Sequence, residues 1–223
     1  MATGAVRTTN TGTPSRSPGW RPQWRRWPWR RARGRLTVSD LYVALLHHPV
    51  YDRNHNVVTT SVTNIDVHDI ARSCRTYHAH AFFVVTPVDA LRGLVRKISR
   101  HWLDGPGSSY NDNRRQAMEL VRLQRDLEGV LIEIERETGE LPTLVATSAR
   151  PMPRQTAWKQ AARQLADDSR PWLLLLGTGW GMTDELVERC ELRLPPVDGP
   201  GDYNHLSVRA AAAVILDRLR GTG

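Results

Sequence analysis

Long apolar runs, cysteines and lysines are all scarce in this chain of 223 residues. No stretch comes near the roughly 18 consecutive apolar residues of a membrane-crossing helix, and mean hydropathy is negative. The sequence therefore reads as soluble. The two cysteines, Cys74 and Cys190, cannot staple a fold of this length. With no second thiol or clustered histidine at ligand spacing, they supply no metal site either. They read as small buried apolar residues of a reducing, cytoplasmic compartment. Two lysines against 29 arginines point to a GC-rich coding sequence, which weakens arginine number as a functional clue. What remains is enough chain for one domain of ordinary size plus appendages.

The net charge of +8 is unevenly placed. Residues 1–39 contain nine arginines (Arg7, Arg16, Arg21, Arg25, Arg26, Arg30, Arg31, Arg33 and Arg35) and no acid, leaving 22 basic and 23 acidic residues for the rest. Four prolines and four tryptophans also fall in residues 1–35, without helical or alternating period, so a disordered basic tail over 1–38 is expected. Arginine interleaved with tryptophan suits neutralising phosphates and stacking on unpaired bases; a functionless extension from an early start codon fits the same composition. Arg25 and Arg26 are followed by WPWRRARGRL, which lacks the apolar stretch of a secretory or twin-arginine signal. An organellar transit peptide shares the acid-poor, Arg-rich start, but the prolines oppose its amphipathic helix.

From Leu41 the pattern alternates between short apolar runs and amphipathic stretches. Strands are expected at 41–46, 81–85, 144–146, 172–176 and 191–194. Helices are expected at 66–77, 88–102, 155–166, 183–189 and 205–220, with residues 113–138 as one further helix carrying Met118, Val121, Leu127, Leu131 and Ile134 as a stripe. Apolar strands separated by helices imply βαβ units and a parallel sheet covered on both faces. Ligands of such sheets sit beyond the carboxyl ends of the strands, which directs attention to the loops that follow them.

Two of those loops are unusual. Leu173–Leu176 runs into Gly177-Thr178-Gly179-Trp180-Gly181, where glycines let backbone amides approach a ligand. A Rossmann turn should open its fold, yet only one further strand follows this one, and the Gly-Lys-Ser/Thr ending of a P-loop is missing. A tight structural turn is the plainer alternative. The second loop begins Leu194-Pro195-Pro196-Val197 and enters a helix at Asn204, a good N-cap residue. That helix contains Arg209-Ala210-Ala211-Ala212-Ala213-Val214-Ile215-Leu216. Being apolar nearly all round, it must be enclosed by the fold or by a second subunit.

Strand-GTGWG-helix, strand-LPPV and the loop into YNHLSVRAAAAVILDRL together resemble the C-terminal cofactor region of the SPOUT superfamily of RNA methyltransferases. The opening VALLHHPVYDRNHNVVTTSVTNIDVHDIAR, with VVTP and LVATSARP, is similar to a bacterial family of S-adenosylmethionine (SAM)-dependent RNA methyltransferases within it. The resemblance covers residues 40–220 and implies an α/β domain over 39–221 with a deep C-terminal trefoil knot, an exception to the rule against threaded chains. It implies a homodimer built on the last helix, RNA as substrate, and S-adenosyl-L-methionine as cofactor. Carried over by position, the cofactor would lie against Thr147, Ser148 and Ala149, against Gly177, Thr178 and Gly179, and against Leu194, Pro195, Asn204, Leu206 and Ser207.

No catalytic residue is assigned, because the arginine or aspartate signatures of the superfamily find no match. The loop after the first strand offers His47, His48, Tyr51 and Asp52; each taken singly reads as structural or solvated. Arg53, Asn54, Tyr110, Asn111 and Arg114 are weak candidates for RNA contact. His205 lies beside the expected cofactor, and Asp66, His68, Asp69 and Arg72 read as an ion-paired helix face. A knotted RNA-binding or regulatory protein without turnover is the alternative function, while a hydrolase built on His47, His48 and Asp52 lacks a nucleophile motif.

Overall fold

The computed structural model describes residues 39–222; the expected disordered tail lies outside the described residues. In chain order the elements are β1 (Leu41–Leu46), β2 (Val50–Tyr51), β3 (Val57–Val58), α1 (Asn64–Thr76), β4 (Ala81–Val85), α2 (Asp89–Leu103), α3 (Gly107–Tyr110), α4 (Asp112–Met118), β5 (Val121–Gln124) and α5 (Leu127–Thr138). They continue as β6 (Thr143–Ala146), α6 (Trp158–Asp167), β7 (Trp172–Gly177), α7 (Asp184–Glu188), β8 (Leu192–Arg193) and α8 (Val208–Arg220). Six strands form one sheet in the order β5-β4-β1-β7-β6-β8, and every pairing in it is parallel. The parallel-sheet α/β class is as expected.

Burial explains why the central strands are so apolar. All six residues of β1 are solvent-inaccessible, because helices cover both faces of the sheet. One face packs Leu41, Val43, Leu45, Leu174 and Leu176 with residues of α1, α6 and α8. The other packs Tyr42, Ala44, Leu46, Leu173 and Leu175 with residues of α5 and α7. Alternate residues of one strand thus serve two cores, which removes the apolar-polar alternation of a half-exposed strand. The order of strands reverses between β1 and β7, the kind of switch point beyond which α/β sheets bind ligands.

One expected helix is three elements. Residues 113–138 divide into α4, β5 and α5. Of the expected stripe, Met118, Val121, Leu127 and Ile134 are buried and Leu131 is half-buried, but they pack on both sides of an edge strand. Arg122 ion-pairs with Glu133 at 3.0 Å and Glu137 at 2.9 Å, both on α5. Asp126 restarts the helix by accepting from the Gly129 N–H at 2.9 Å. The final helix also begins later than expected. Its N-cap is Ser207, whose hydroxyl accepts from the Ala210 N–H; Asn204 has other partners. Of α8, Ala212, Ile215, Leu216 and Leu219 enter the core, whereas Val208, Ala211, Ala213 and Val214 are half-buried.

Candidate functional site at the carboxyl ends of the central strands

Register brings the expected cofactor loops together. Ala146 of β6 lies opposite Leu175 of β7 on one side and Arg193 of β8 on the other. The residues that follow these three strands therefore emerge side by side. Thr147 donates its hydroxyl hydrogen to the Leu175 carbonyl at 2.8 Å, and the Leu194 N–H donates to the Ala146 carbonyl at 2.9 Å.

Further out, Asn204 Nδ2 donates to both the Ala149 carbonyl and Asp198 Oδ1, each at 2.9 Å. This clasps the loop before α8 onto the loop after β6. Arg150 Nη2 donates to the Trp180 carbonyl at 2.7 Å and clasps the loop after β6 onto the glycine-rich turn. Ser148 accepts from the Arg150 N–H at 2.9 Å. Thr147 to Ala149, Gly177 to Gly179, Leu194, Pro195 and Asn204 thus belong to one stitched rim. Leu206 and Ser207, just beyond Asn204 and His205, are exposed, as are Trp180 and Tyr203.

The donor set suits a purine-bearing amphipathic cofactor. It consists of hydroxyls, an amide and backbone groups, with exposed apolar side chains beside them and Asp198 as a carboxylate. Such a site recognises shape and hydrogen-bonding edges rather than a polyphosphate. A separate cavity of about 890 Å3 includes Thr143, Gln164, Trp172 and Glu191 among its walls. Thr143 and Trp172 are the first residues of β6 and β7, so this cavity opens at the opposite end of the sheet from the rim.

The glycine-rich turn is held by a hairpin that the sequence did not predict. β2 and β3 pair antiparallel, and Val50 bridges to Met182. The Tyr51 N–H donates to the Gly181 carbonyl and the Trp180 N–H donates to the Tyr51 carbonyl, both at 2.9 Å. Gly179 has φ of +60°, and a Cβ there would stand 2.9 Å from the Tyr51 carbonyl oxygen. Only glycine fits this close approach without displacing a backbone atom.

Side chains behind the turn form a chain of hydrogen bonds. Thr178 Oγ1 lies 2.9 Å from the Leu46 carbonyl and 2.5 Å from Thr60 Oγ1, and Thr60 Oγ1 lies 3.1 Å from His47 Nδ1. His47 is 1% exposed. Burial lowers its pKa to about 4, against a smaller opposing pull from Asp66. Thr60 went unnoticed in the sequence because a threonine in a polar stretch carries no signal. Asp52 serves the hairpin, accepting from the Asn54 N–H at 2.7 Å and the Asn56 N–H at 2.9 Å. The Asn56 hydrogen bonds, those from Asn54 and nearby His55 hold its carboxyl below the usual range.

The weak RNA candidates fall at the tip of the β2–β3 hairpin and around the α3–α4 junction. Arg53 and Asn54 are exposed at the hairpin tip, and Tyr110, the last residue of α3, is 85% exposed. Asn111 caps α4 by accepting from the Arg114 N–H, and the Arg114 guanidinium stacks 4.7 Å from the Trp102 ring. His205 is exposed and meets Tyr203 edge-on at 5.6 Å. On α1, Asp66 pairs with Arg209 of α8 at 3.0 Å, and Asp69 lies 3.6 Å from the same arginine and 3.8 Å from Arg72. This joins the starts of α1 and α8. Among the described residues, no cluster of three or more His, Cys, Asp or Glu side chains is placed to hold a metal. No helix there is long and apolar enough to cross a membrane.

Comparison with known proteins agrees with this geometry. The sequence model of the SAM-dependent RNA methyltransferase family matches residues 40–221. An uncharacterized protein of Aquifex aeolicus (strain VF5) is 39% identical over 181 residues, 81% of this chain and 88% of that one. A tRNA (guanine-N(1)-)-methyltransferase of Oleidesulfovibrio alaskensis is 42% identical over 182 residues. That match covers 82% of this chain, which spans only 42% of the longer relative. Among solved structures, the SpoU methyltransferase AviRb from Streptomyces viridochromogenes has a TM-score of 0.50 at 18% identity, covering 83% of this chain and 59% of that one. At such identity the likeness is one of fold.

Proposed function

Since the chain belongs to the SAM-dependent RNA methyltransferase family, with S-adenosylmethionine as its cofactor, we propose that it methylates a nucleotide of a structured RNA, tRNA or rRNA, as a cytoplasmic homodimer. The observation that carries this reading is the stitched rim at the carboxyl ends of β6, β7 and β8. Thr147, Ser148 and Ala149 would form one wall of the cofactor site, Gly177, Thr178 and Gly179 the second, and Leu194, Pro195, Asn204, Leu206 and Ser207 the third. The bound cofactor supplies a methyl group on a sulfonium, already activated for in-line displacement. The protein's part is to hold the acceptor in line and to exclude water. Arg53, Asn54, Tyr110, Asn111 and Arg114 are the residues proposed to contact RNA. The guanine-N1 specificity in the name of the Oleidesulfovibrio relative describes a protein of which this chain spans 42%, and it is not carried over.

A trefoil knot and a dimer belong to the same proposal. The chain leaves edge strand β8, is clasped back onto the β6 loop through Asn204, and then docks α8 against α1 and α6. That return path supports the reading of a knotted C-terminus. Ile65 at 58% exposure and Leu206 at 49% lie near the starts of α1 and α8. Together with the half-buried Val208, Ala211 and Val214, they offer apolar surface for a second subunit.

Two measurements test the activity. Calorimetric titration with S-adenosylhomocysteine should show binding. Total RNA from a deletion strain should take up label from radioactive cofactor at a nucleotide that mapping then identifies. Cofactor binding with no label in any RNA would replace the enzyme reading with an RNA-binding or regulatory protein.

A further inference from the structure

The chain from His47 to Leu46 through Thr60 and Thr178 runs in one direction, and donor counting fixes that direction. The Leu46 carbonyl can only accept, so the Thr178 hydroxyl hydrogen points to it at 2.9 Å. Thr178 has no second hydrogen to give. The 2.5 Å contact between Thr60 and Thr178 must therefore be a donation from Thr60. Thr60 has then spent its only hydrogen as well, so the 3.1 Å contact with His47 must be a donation from His47 Nδ1–H. A neutral imidazole carries one N–H. Nε2 is consequently a bare lone pair, and it is buried with no hydrogen-bond partner.

The geometry around this chain gives it a purpose. His47 directly follows β1 and Thr178 directly follows β7, the two strands at the switch point of the sheet. The Thr60 N–H donates to the His47 carbonyl at 2.9 Å, so both ends of the hairpin are pinned beneath the glycine-rich turn. Thr178 is the second residue of that turn, and its backbone N–H also donates to the Leu46 carbonyl, at 3.2 Å.

We propose that His47, as the Nδ1–H tautomer and acting through Thr60, is a positioning residue that fixes Thr178 and thereby presets the cofactor loop. It touches no reacting atom. This inference rests on the assignment of Gly177–Gly179 to the cofactor site.

Two independent measurements test it. Long-range proton–nitrogen correlation spectra of the 15N-labelled full chain, without ligand, should show His47 in the Nδ1–H form at neutral pH; the Nε2–H form would overturn the proposal. Thr60→Val removes the hydroxyl but keeps the shape, leaving His47 Nδ1–H without an acceptor and Thr178 Oγ1 without a donor. It should weaken S-adenosylhomocysteine binding by about tenfold and raise the KM for S-adenosylmethionine more than it lowers kcat. Thr60→Ser restores the hydroxyl and should recover wild-type affinity to within about twofold. Equal binding by wild type and Thr60→Val overturns the proposal, as does equal weakening in the Val and Ser variants. Failure of the wild type itself to bind S-adenosylhomocysteine would overturn the cofactor-site assignment instead, and the spectra report on the tautomer whether or not ligand binds.

Discussion

Gly179→Ala should be the most informative single substitution at the rim, because two separable costs meet there. Gly179 sits at φ of +60°, in the left-handed region where an L-residue costs about 1–2 kcal/mol. The new Cβ would also stand 2.9 Å from the Tyr51 carbonyl oxygen and 3.2 Å from Thr60 Cγ2. The first is a backbone atom and cannot rotate away. Relief requires the hairpin to retreat, which stretches the bond from the Trp180 N–H to that same oxygen, a loss of about 1 kcal/mol. Together these give about 2–3 kcal/mol. Gly201→Ala is the control, since a Cβ there meets nothing within 4 Å and should change stability by about 0.5 kcal/mol or less. Urea unfolding measures both, read as a shift in midpoint at constant slope. Titration with S-adenosylhomocysteine then shows whether the displaced turn also loses the cofactor. If Gly179→Ala unfolds with the Gly201→Ala control, the packing of hairpin on turn does not hold in solution.

Three further outcomes are expected. Leu174→Ala empties a fully buried position at the centre of the sheet and should cost about 2–5 kcal/mol in the same urea assay; a cost below about 1 kcal/mol would contradict the packed two-faced core. Burial holds the folded pKa of His47 near 4, against 6.5 for an unhindered histidine. Above pH 6.5 neither state gains a proton at this site; below it the unfolded chain does and the folded one does not. Stability should therefore fall from about pH 6.5 to 4 and then level, by about 3 kcal/mol from this group. Urea midpoints at pH 7 and 4.5 should show a shallower fall for His47→Asn, and parallel profiles would refute the assignment. Deleting residues 1–35 should weaken RNA binding and reduce the steepness of its salt dependence while leaving S-adenosylhomocysteine affinity intact; unchanged RNA affinity marks the arm as dispensable.

The strands were legible wherever burial on both faces made them continuously apolar, as in Leu41–Leu46 and Trp172–Gly177. β5 was not, because Arg122 and Gln124 are polar residues of an edge strand that find partners on α5. Val121 of the same strand stands three residues from Met118 and so continues a helical period. The loops proposed to hold the cofactor stand out through glycine and proline, residues whose backbone demands mark a sequence. The clasps were not. Asn204 looked like a helix cap because asparagine commonly is one, yet its amide is spent on Ala149 and Asp198. Arg150 and Thr60 carry no local pattern, since their partners Trp180 and Thr178 are distant in sequence and only the register of β6 and β7, or of β1 and β7, brings them near.

The same register ties the site to folding. The hydrogen bond from Thr178 to Leu46 spans 132 residues, and the contact between Asn204 and Ala149 spans 55. Both depend on the completed sheet, in which β7 lies between β1 and β6 and pairing on both its edges sets where the loops emerge. Loop-closure entropy for such separations must be met before the contacts repay it. The rim therefore depends on the whole sheet for its shape. A cofactor that binds only the completed rim would stabilise the entire fold by mass action, about 2.7 kcal/mol at a hundred times its dissociation constant. The hairpin from Val50 to Val58 differs from the other rim contacts in this respect, because its own pairing is local. Together with Thr60 just beyond it, the hairpin presents the Tyr51 carbonyl and the Thr60 hydroxyl as a seat for the turn. Only a turn with glycine at 179 and a hydroxyl at 178 can settle into that seat.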